Sequence, residues 1–409
     1  MKRAIIGLLR IVSMTSKLLL MMLLARYFSV KDVGEYGLIL ALVNILVLIV
    51  GLDFYTFSQS ELSKNRSFGE VLSNQLLLHT VTYAVAFIWI YTNRSSDYSI
   101  TTLFIFSLLV SEHLNQEISR YLIYFEEQMI ASVLLFIRSG LWVLCYVIYI
   151  LITNSYNLHD LFVFWLLASI CTLVLSTYLL NHKIKIKIKI KIKTSYINLE
   201  YLVLGLRKSI LILCAGVSFK SLFFLDRYIL GSYSSLEVVG IYIFYITLMV
   251  SALSFLEPLV ISFSYQKLLK SFNSQDYYTY NQVLKKSALH SFFFIITIVL
   301  GFYIFTQPLL HALGKEEYLS YLWILNYLYP IMALYCFAIF FHYLLYSIEL
   351  SRFIFYSHAS SVLVFLFFVF MLKYLFPFDM IENILSSLIM TYVWMVTSSA
   401  YLYFNNKSF

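Results

Sequence analysis

Four cations recur at one interval within or just beyond runs that are otherwise apolar. Arg10 and Lys17 lie seven residues apart, and Lys220 and Arg227 repeat that interval. Seven residues make nearly two turns of an α-helix, so each pair presents both charges on one face. Ionisable groups in apolar helices are expensive and usually face a cavity, a partner or a pathway. Cations gathered on one cavity would hold an anion that has left water. Snorkelling to the ends of the apolar run is the competing role, strongest for Arg10 and Arg227.

Carboxylates form the second group: Asp53, Glu112 and Glu257. Glu257 precedes Pro258 and follows Ser251 and Ser254 at helical spacing. Proline removes a backbone donor and can kink a helix, freeing a carbonyl beside the acid. An acid next to free carbonyls is a proton or sodium site; an ion pair with a cation of another helix is the equal alternative. Asp53 holds a similar position near one end of its apolar run. His113 and Glu117 are an i, i+4 pair, and Glu117 pairs locally with Arg120, which leaves Glu112 as the functional candidate. The expected cofactor set is therefore empty apart from coupling H+ or Na+. The eight histidines form no HExxH and no cluster along the chain, so no metal site is expected. The four cysteines lack CxxC spacing, and the glycines form no nucleotide cradle. Pro258 and Pro330 are interior to apolar runs, which predicts bent helices in the second half.

The elements that must position these groups follow from composition. The 409 residues are 61% hydrophobic and 12% charged, with a mean hydropathy of +0.83. Soluble domains run nearer 45–50% and about 25%. This is an all-α integral membrane protein. About twelve helical spans fit, near 4–24, 36–57, 71–92, 100–119, 129–152, 160–180, 203–225, 239–263, 288–309, 320–346, 353–376 and 383–404. Loops of roughly 13 residues remain, too short for a catalytic domain. Soluble enzymes, DNA-binding proteins and membrane enzymes with large outer domains are excluded. Arg10 and Lys17 interrupt the first span and no small-residue cleavage site follows, which argues against a removable signal peptide.

With the N-terminus cytoplasmic, nineteen of the 29 Lys and Arg residues fall on inside segments and six on outside ones. The positive-inside rule therefore predicts cytoplasmic termini, and the net charge of +8 needs no nucleic acid to explain it. A strict Lys-Ile alternation occupies Lys183–Lys193. Extended, it would place its lysines on one face, against anionic lipid; otherwise it is a low-complexity linker and topology signal. It divides the chain into an N-terminal six-helix lobe (1–182), a basic cytoplasmic linker (183–200) and a C-terminal six-helix lobe (201–409).

The halves resemble each other. Arg26-Tyr27-Phe28, then Asp32-Val33-Gly34-Glu35-Tyr36, matches Arg227-Tyr228-Ile229, then Glu237-Val238-Val239-Gly240-Ile241-Tyr242. Gly34 and Gly240 are 206 residues apart, about half the chain. Two lobes of six spans would be parallel repeats, a known transporter layout. The stretches Ala25–Ser29 with Val33–Gly37, and Asp226–Gly231 with Val239–Tyr242, resemble the loops of polysaccharide transporters. The chain is similar to O-antigen unit flippases of the multidrug/oligosaccharidyl-lipid/polysaccharide (MOP) exporter superfamily, with its MATE-like fold. That resemblance implies a non-enzymatic, multi-pass protein of the bacterial inner membrane. It implies translocation of an undecaprenyl-diphosphate-linked oligosaccharide, for whose diphosphate and sugar Arg10, Lys17, Lys220 and Arg227 are the candidate residues by their charge and spacing. Implied partners are the lipid-linked substrate, membrane lipid, a polysaccharide polymerase and a chain-length regulator.

Three alternatives compete. A lipid II flippase would share the fold and the anionic substrate. A drug exporter fits paired cations poorly. A membrane polysaccharide polymerase would carry a long basic outside loop, and the outside loops here are short.

Overall fold

The computed structural model describes residues 2–64, 66–93, 101–187, 197–256, 260–348, 350–376 and 379–406, and among them only helices are regular structure. The chain forms two compact units. The first comprises residues 1–23 and 35–217; the second comprises 24–34 and 218–409.

In chain order the early helices are α1 (Lys2–Tyr27), α2 (Val30–Gly51), α3 (Phe54–Ser63), α4 (Phe68–Asn93) and α5 (Thr102–Tyr124). Next come α6 (Gln128–Phe136), a π-helical turn (Ile137–Leu141), α7 (Trp142–Thr153) and α8 (Leu158–Lys187). Then follow α9 (Leu199–Tyr233), α10 (Leu236–Leu253), α11 (Ser262–Asn273) and α12 (Tyr277–Leu313). The last are α13 (Glu316–Leu319), α14 (Ile324–Ser347), α15 (Ser351–Leu375) and α16 (Met380–Asn406).

Helices dominate because a bilayer offers the backbone no hydrogen-bonding partner, so each segment must satisfy its own amides. Hydroxyls follow the same rule: Ser13 and Ser16 donate to the carbonyls of Leu9 and Val12 at 2.8 Å. The core is apolar as in a soluble protein, but the outer surface is apolar as well and polar side chains are buried. Ile152, Leu363 and Phe305 are 75%, 69% and 70% exposed, while Asn74, Gln75, His79 and Asn115 are buried. Apolar surface on this scale is what a lipid-facing molecule requires.

Among the described residues, ten helices are long and apolar enough to cross a membrane, or eleven with the bent pair Leu199–Ile210 and Leu213–Tyr233 taken as one span. The twelfth expected span is α5, 23 residues long, whose Glu112, Asn115, Glu117 and Arg120 lower its hydropathy. The all-α membrane architecture is thus as expected, with shifted boundaries. The expected span 36–57 is interrupted: α2 stops at Gly51, and Leu52 and Asp53 both take φ 50° before α3 begins. The expected span 288–309 begins eleven residues earlier, because α12 runs for 37 residues and roughly 55 Å, beyond the hydrocarbon core. Lys183–Lys187 is helical rather than extended. It continues α8, and propagating an existing helix requires no new nucleus. The rest of the Lys-Ile tract lies outside the described residues.

The repeat-related helix starts are alike in register. Gly34 is the fifth residue of α2 and Gly240 the fifth of α10. Ser29 precedes α2, and its hydroxyl donates to Asp32 Oδ2 at 2.6 Å while accepting from the Asp32 amide. Ser235 caps α10 by accepting from the amide of Val238. Counting from these serines aligns Ser-Gly-Tyr with no gap. Within the second unit Gly34 and Gly240 face one another, and a Cβ on either would overlap a backbone carbonyl, that of Leu236 or of Val30.

Candidate functional site

The first unit carries a polar interior built by two helices. Gln75, His79 and Tyr83 recur every four residues along α4, and His113, Glu117 and Tyr121 do the same along α5. This spacing puts each trio on one stripe, and the stripes meet. Gln75 donates to Glu117 Oε2 at 2.5 Å, and Tyr121 donates to Gln75. Arg120 pairs with Glu117, as expected, and stacks on Tyr55 at 3.7 Å. Tyr83 lies 2.6 Å from His113 Nδ1, and the rings of His79 and His113 are edge to face at 4.5 Å. Thus His79, His113 and Glu117 gather donor atoms within 4.8 Å of one another, all buried. Linear spacing hid this cluster, since 34 residues separate the two histidines.

The α2 break lies beside it. Asp53 is buried, accepts from Thr56 Oγ1 at 3.3 Å, and is within electrostatic reach of Glu117. Gly51 ends α2 against His113, where a Cβ would sit 3.0 Å from Nε2.

A second constellation in the same unit is cationic. Arg138 sits on the π-helical turn, whose extra residue alters the direction in which side chains leave the helix. It reaches back to α5, with Nη1 3.3 Å from the Glu112 carbonyl and Nε 3.6 Å from its carboxylate. Trp165 donates to the other Glu112 oxygen at 3.0 Å. Lys17 is set deep in the protein near Arg138 and Glu112, yet its side chain is accessible. Among the described residues, Lys17 forms no ion pair, and the three groups sum to one positive charge. Arg10, two turns away on α1, is also exposed.

In the second unit, Asp226 is fully buried in α9. It accepts from Tyr242 at 2.8 Å and from the Arg227 amide at 2.7 Å. Arg227 is 9% exposed, and its Nε makes no hydrogen bond. Lys220 is accessible. A His342–His358 contact of 3.3 Å joins α14 to α15. A cleft of about 550 Å³ beside Pro308 is lined by Tyr303, Gln307, His311, Asn326 and Tyr329.

The structure therefore brings Lys17 and Glu112 together and places Asp53 near Glu117. Glu257 and Pro258 lie outside the described residues. Arg138, His79 and Asp226 enter as site residues that sequence reasoning did not select. Arg138 was visible only as a cation inside an apolar run, and Asp226 only as part of the repeated loop.

No protein-family model matches the chain, and no curated protein matches it. Solved structures do. A multidrug-resistance MATE transporter of the MOP superfamily, inward-facing, superposes with a TM-score of 0.73 at 11% identity, covering 96% of this chain and 93% of that one. The MATE multidrug transporter DinF-BH, solved as a complex, gives 0.66 at 14% identity, covering 99% and 94%. A MOP-superfamily transporter from Pyrococcus furiosus, described by a binding pocket of reverse polarity and a suggested different function, gives 0.62 at 12%, covering 100% and 97%. Across nearly its whole length, this chain has the fold of the MATE transporters of the MOP superfamily.

Proposed function

We propose that this chain is a transporter for an amphipathic polyanion, an undecaprenyl-diphosphate-linked oligosaccharide. In this reading it carries the unit across the cytoplasmic membrane of a bacterium by alternating access. The observation that carries the reading is Lys17: an accessible ammonium deep in the protein, beside Arg138, with Glu112 the acid they share. A diphosphate oxygen entering such a site exchanges hydration for charge-assisted hydrogen bonds. Arg10, Lys220 and Arg227 supply further cations in the same role. The resemblance of the repeated loops to O-antigen unit flippases supports the anionic substrate, and the MOP transporter described by a pocket of reverse polarity is suggested to have a different function from its relatives. Other relatives of this fold are described as multidrug transporters, and an organic cation would meet repulsion from Lys17 and Arg138. Asp53 and Glu112 are the proposed H+ or Na+ coupling groups, with Glu257 a third on the second half.

The test is complementation in cells lacking the gene. Deletion should accumulate the lipid-linked unit on the cytoplasmic face and remove surface polysaccharide. Lys17→Ala should lower export at least tenfold at normal protein abundance, and Lys17→Arg should restore much of it. Full export by Lys17→Ala would remove Lys17 from the substrate path.

A further inference from the structure

We infer that His79, His113 and Glu117 form a binding site for a first-row transition-metal dication of the zinc class. Three observations carry this independently of the substrate reading. First, three imidazole nitrogens in one place make no hydrogen bond to the protein: His79 Nδ1, His79 Nε2 and His113 Nε2. Both rings are essentially inaccessible, at 2% and 1%. Buried polar atoms are nearly always paired, so unpaired nitrogens gathered in one place call for a partner. One unpaired nitrogen of each ring lies with a Glu117 oxygen within 4.8 Å, which describes a donor set.

Second, that donor set is oriented from outside. With Nδ1 protonated and donating to Tyr83 at 2.6 Å, His113 turns a basic Nε2 toward Glu117 Oε1, 3.8 Å away. Gln75 holds the other Glu117 oxygen at 2.5 Å. The Val50 carbonyl is close enough to act on His79, though outside hydrogen-bonding geometry. Carbonyl, hydroxyl and amide partners of this kind fix the tautomer and direction of metal ligands.

Third, α2 ends at Gly51 against this cluster, and the final carbonyls of a helix carry its partial negative charge. A broken helix that turns its C-terminal end toward a buried site favours a cation there.

Two imidazoles and one carboxylate are the ligands of open zinc sites, with a fourth position left for water or another donor. Tetrahedral ligation would bring the donor atoms to roughly 3.3–3.6 Å of one another. The present spread of up to 4.8 Å would have to close by side-chain rotation on binding. Arg120 already neutralises Glu117, so the ion shares that carboxylate with a guanidinium, which favours exchangeable rather than permanent binding.

The full chain, purified without a histidine tag and stripped with chelator, is titrated with Co2+ and then Zn2+. The expected result is one metal per chain, with cobalt absorption of low coordination number displaced by zinc. His79→Ala and His113→Ala should each weaken binding at least tenfold, and Tyr83→Phe about tenfold. His159→Ala, an exposed histidine, should change nothing. Failure of the wild-type chain to take up stoichiometric metal would overturn the assignment, whatever the variants do. So would unchanged affinity in a folded His79→Ala/His113→Ala chain.

Discussion

At the scale of single residues, the informative contacts join helices. Glu112 is held between Trp165 and Arg138, which lie 53 and 26 residues onward. Replacing Glu112 by Gln should keep the Trp165 hydrogen bond and release Arg138 and Lys17 from their shared countercharge. Purified Glu112→Gln should then bind vesicles containing undecaprenyl diphosphate several-fold more tightly than wild type, with little change in tryptophan emission. Equal binding would mean that Glu112 does not restrain the cations. Arg138→Ala should act in the opposite sense and lower thermal stability by about 1–3 kcal/mol, because it strands a largely buried carboxylate. What the sequence exposed at this scale was same-helix geometry: the Arg10–Lys17 interval, and the Glu117–Arg120 pair. Contacts across helices leave no periodic trace, which is why His79 and His113 read as unrelated histidines. Arg138 was hidden for another reason. Its direction depends on a π-helical turn, and the single Gly140 within that turn is too weak a signal to predict it.

Element by element, the repeat is the feature with the most local physics. Ser29 and Ser235 cap helices whose fifth residues are Gly34 and Gly240, and these glycines let two backbones touch. Gly34→Ala and Gly240→Ala should each lower the unfolding free energy by about 1–3 kcal/mol, since the added carbon meets main chain that cannot rotate aside. Gly301→Ala, where the added carbon meets nothing within 4 Å, is the control; thermal melting in detergent reads all three. Leu52 holds φ 50° at the end of α2, a conformation that costs a branched residue roughly 1 kcal/mol. Leu52→Gly should therefore leave stability unchanged or raised despite its added chain entropy, and a loss above about 2 kcal/mol would mean that its packing dominates. The acid-Val-Gly-Tyr skeleton was legible before the fold was known, but its register needed the caps. Helix ends outside the hydrocarbon, as in α12, carry no hydropathy signal, so the spans were found and their limits were not. The break at Leu52–Asp53 was hidden for the opposite reason: it sits inside an apolar run that hydropathy reads as one span.

For the whole molecule, lipid replaces water as the solvent, and polarity moves inward. The long apolar segments were readable because each needs about 20 apolar residues, with α5 the instructive exception. Its carboxylates and histidine lower its hydropathy because they face the polar interior of the first unit. The distribution of Lys and Arg predicts cytoplasmic termini: a fluorescent protein fused after Asn406 should fluoresce, and alkaline phosphatase fused there should stay inactive. Active phosphatase would reverse the orientation and with it the direction of transport. The substrate itself is tested most directly in proteoliposomes, by measuring how fast an undecaprenyl-diphosphate-linked oligosaccharide crosses the bilayer. The account predicts movement that requires the protein, falls at least tenfold in Lys17→Ala/Arg138→Ala, and is absent for uncharged undecaprenol. Equal rates with and without the protein, or in the variant and wild type, would contradict it.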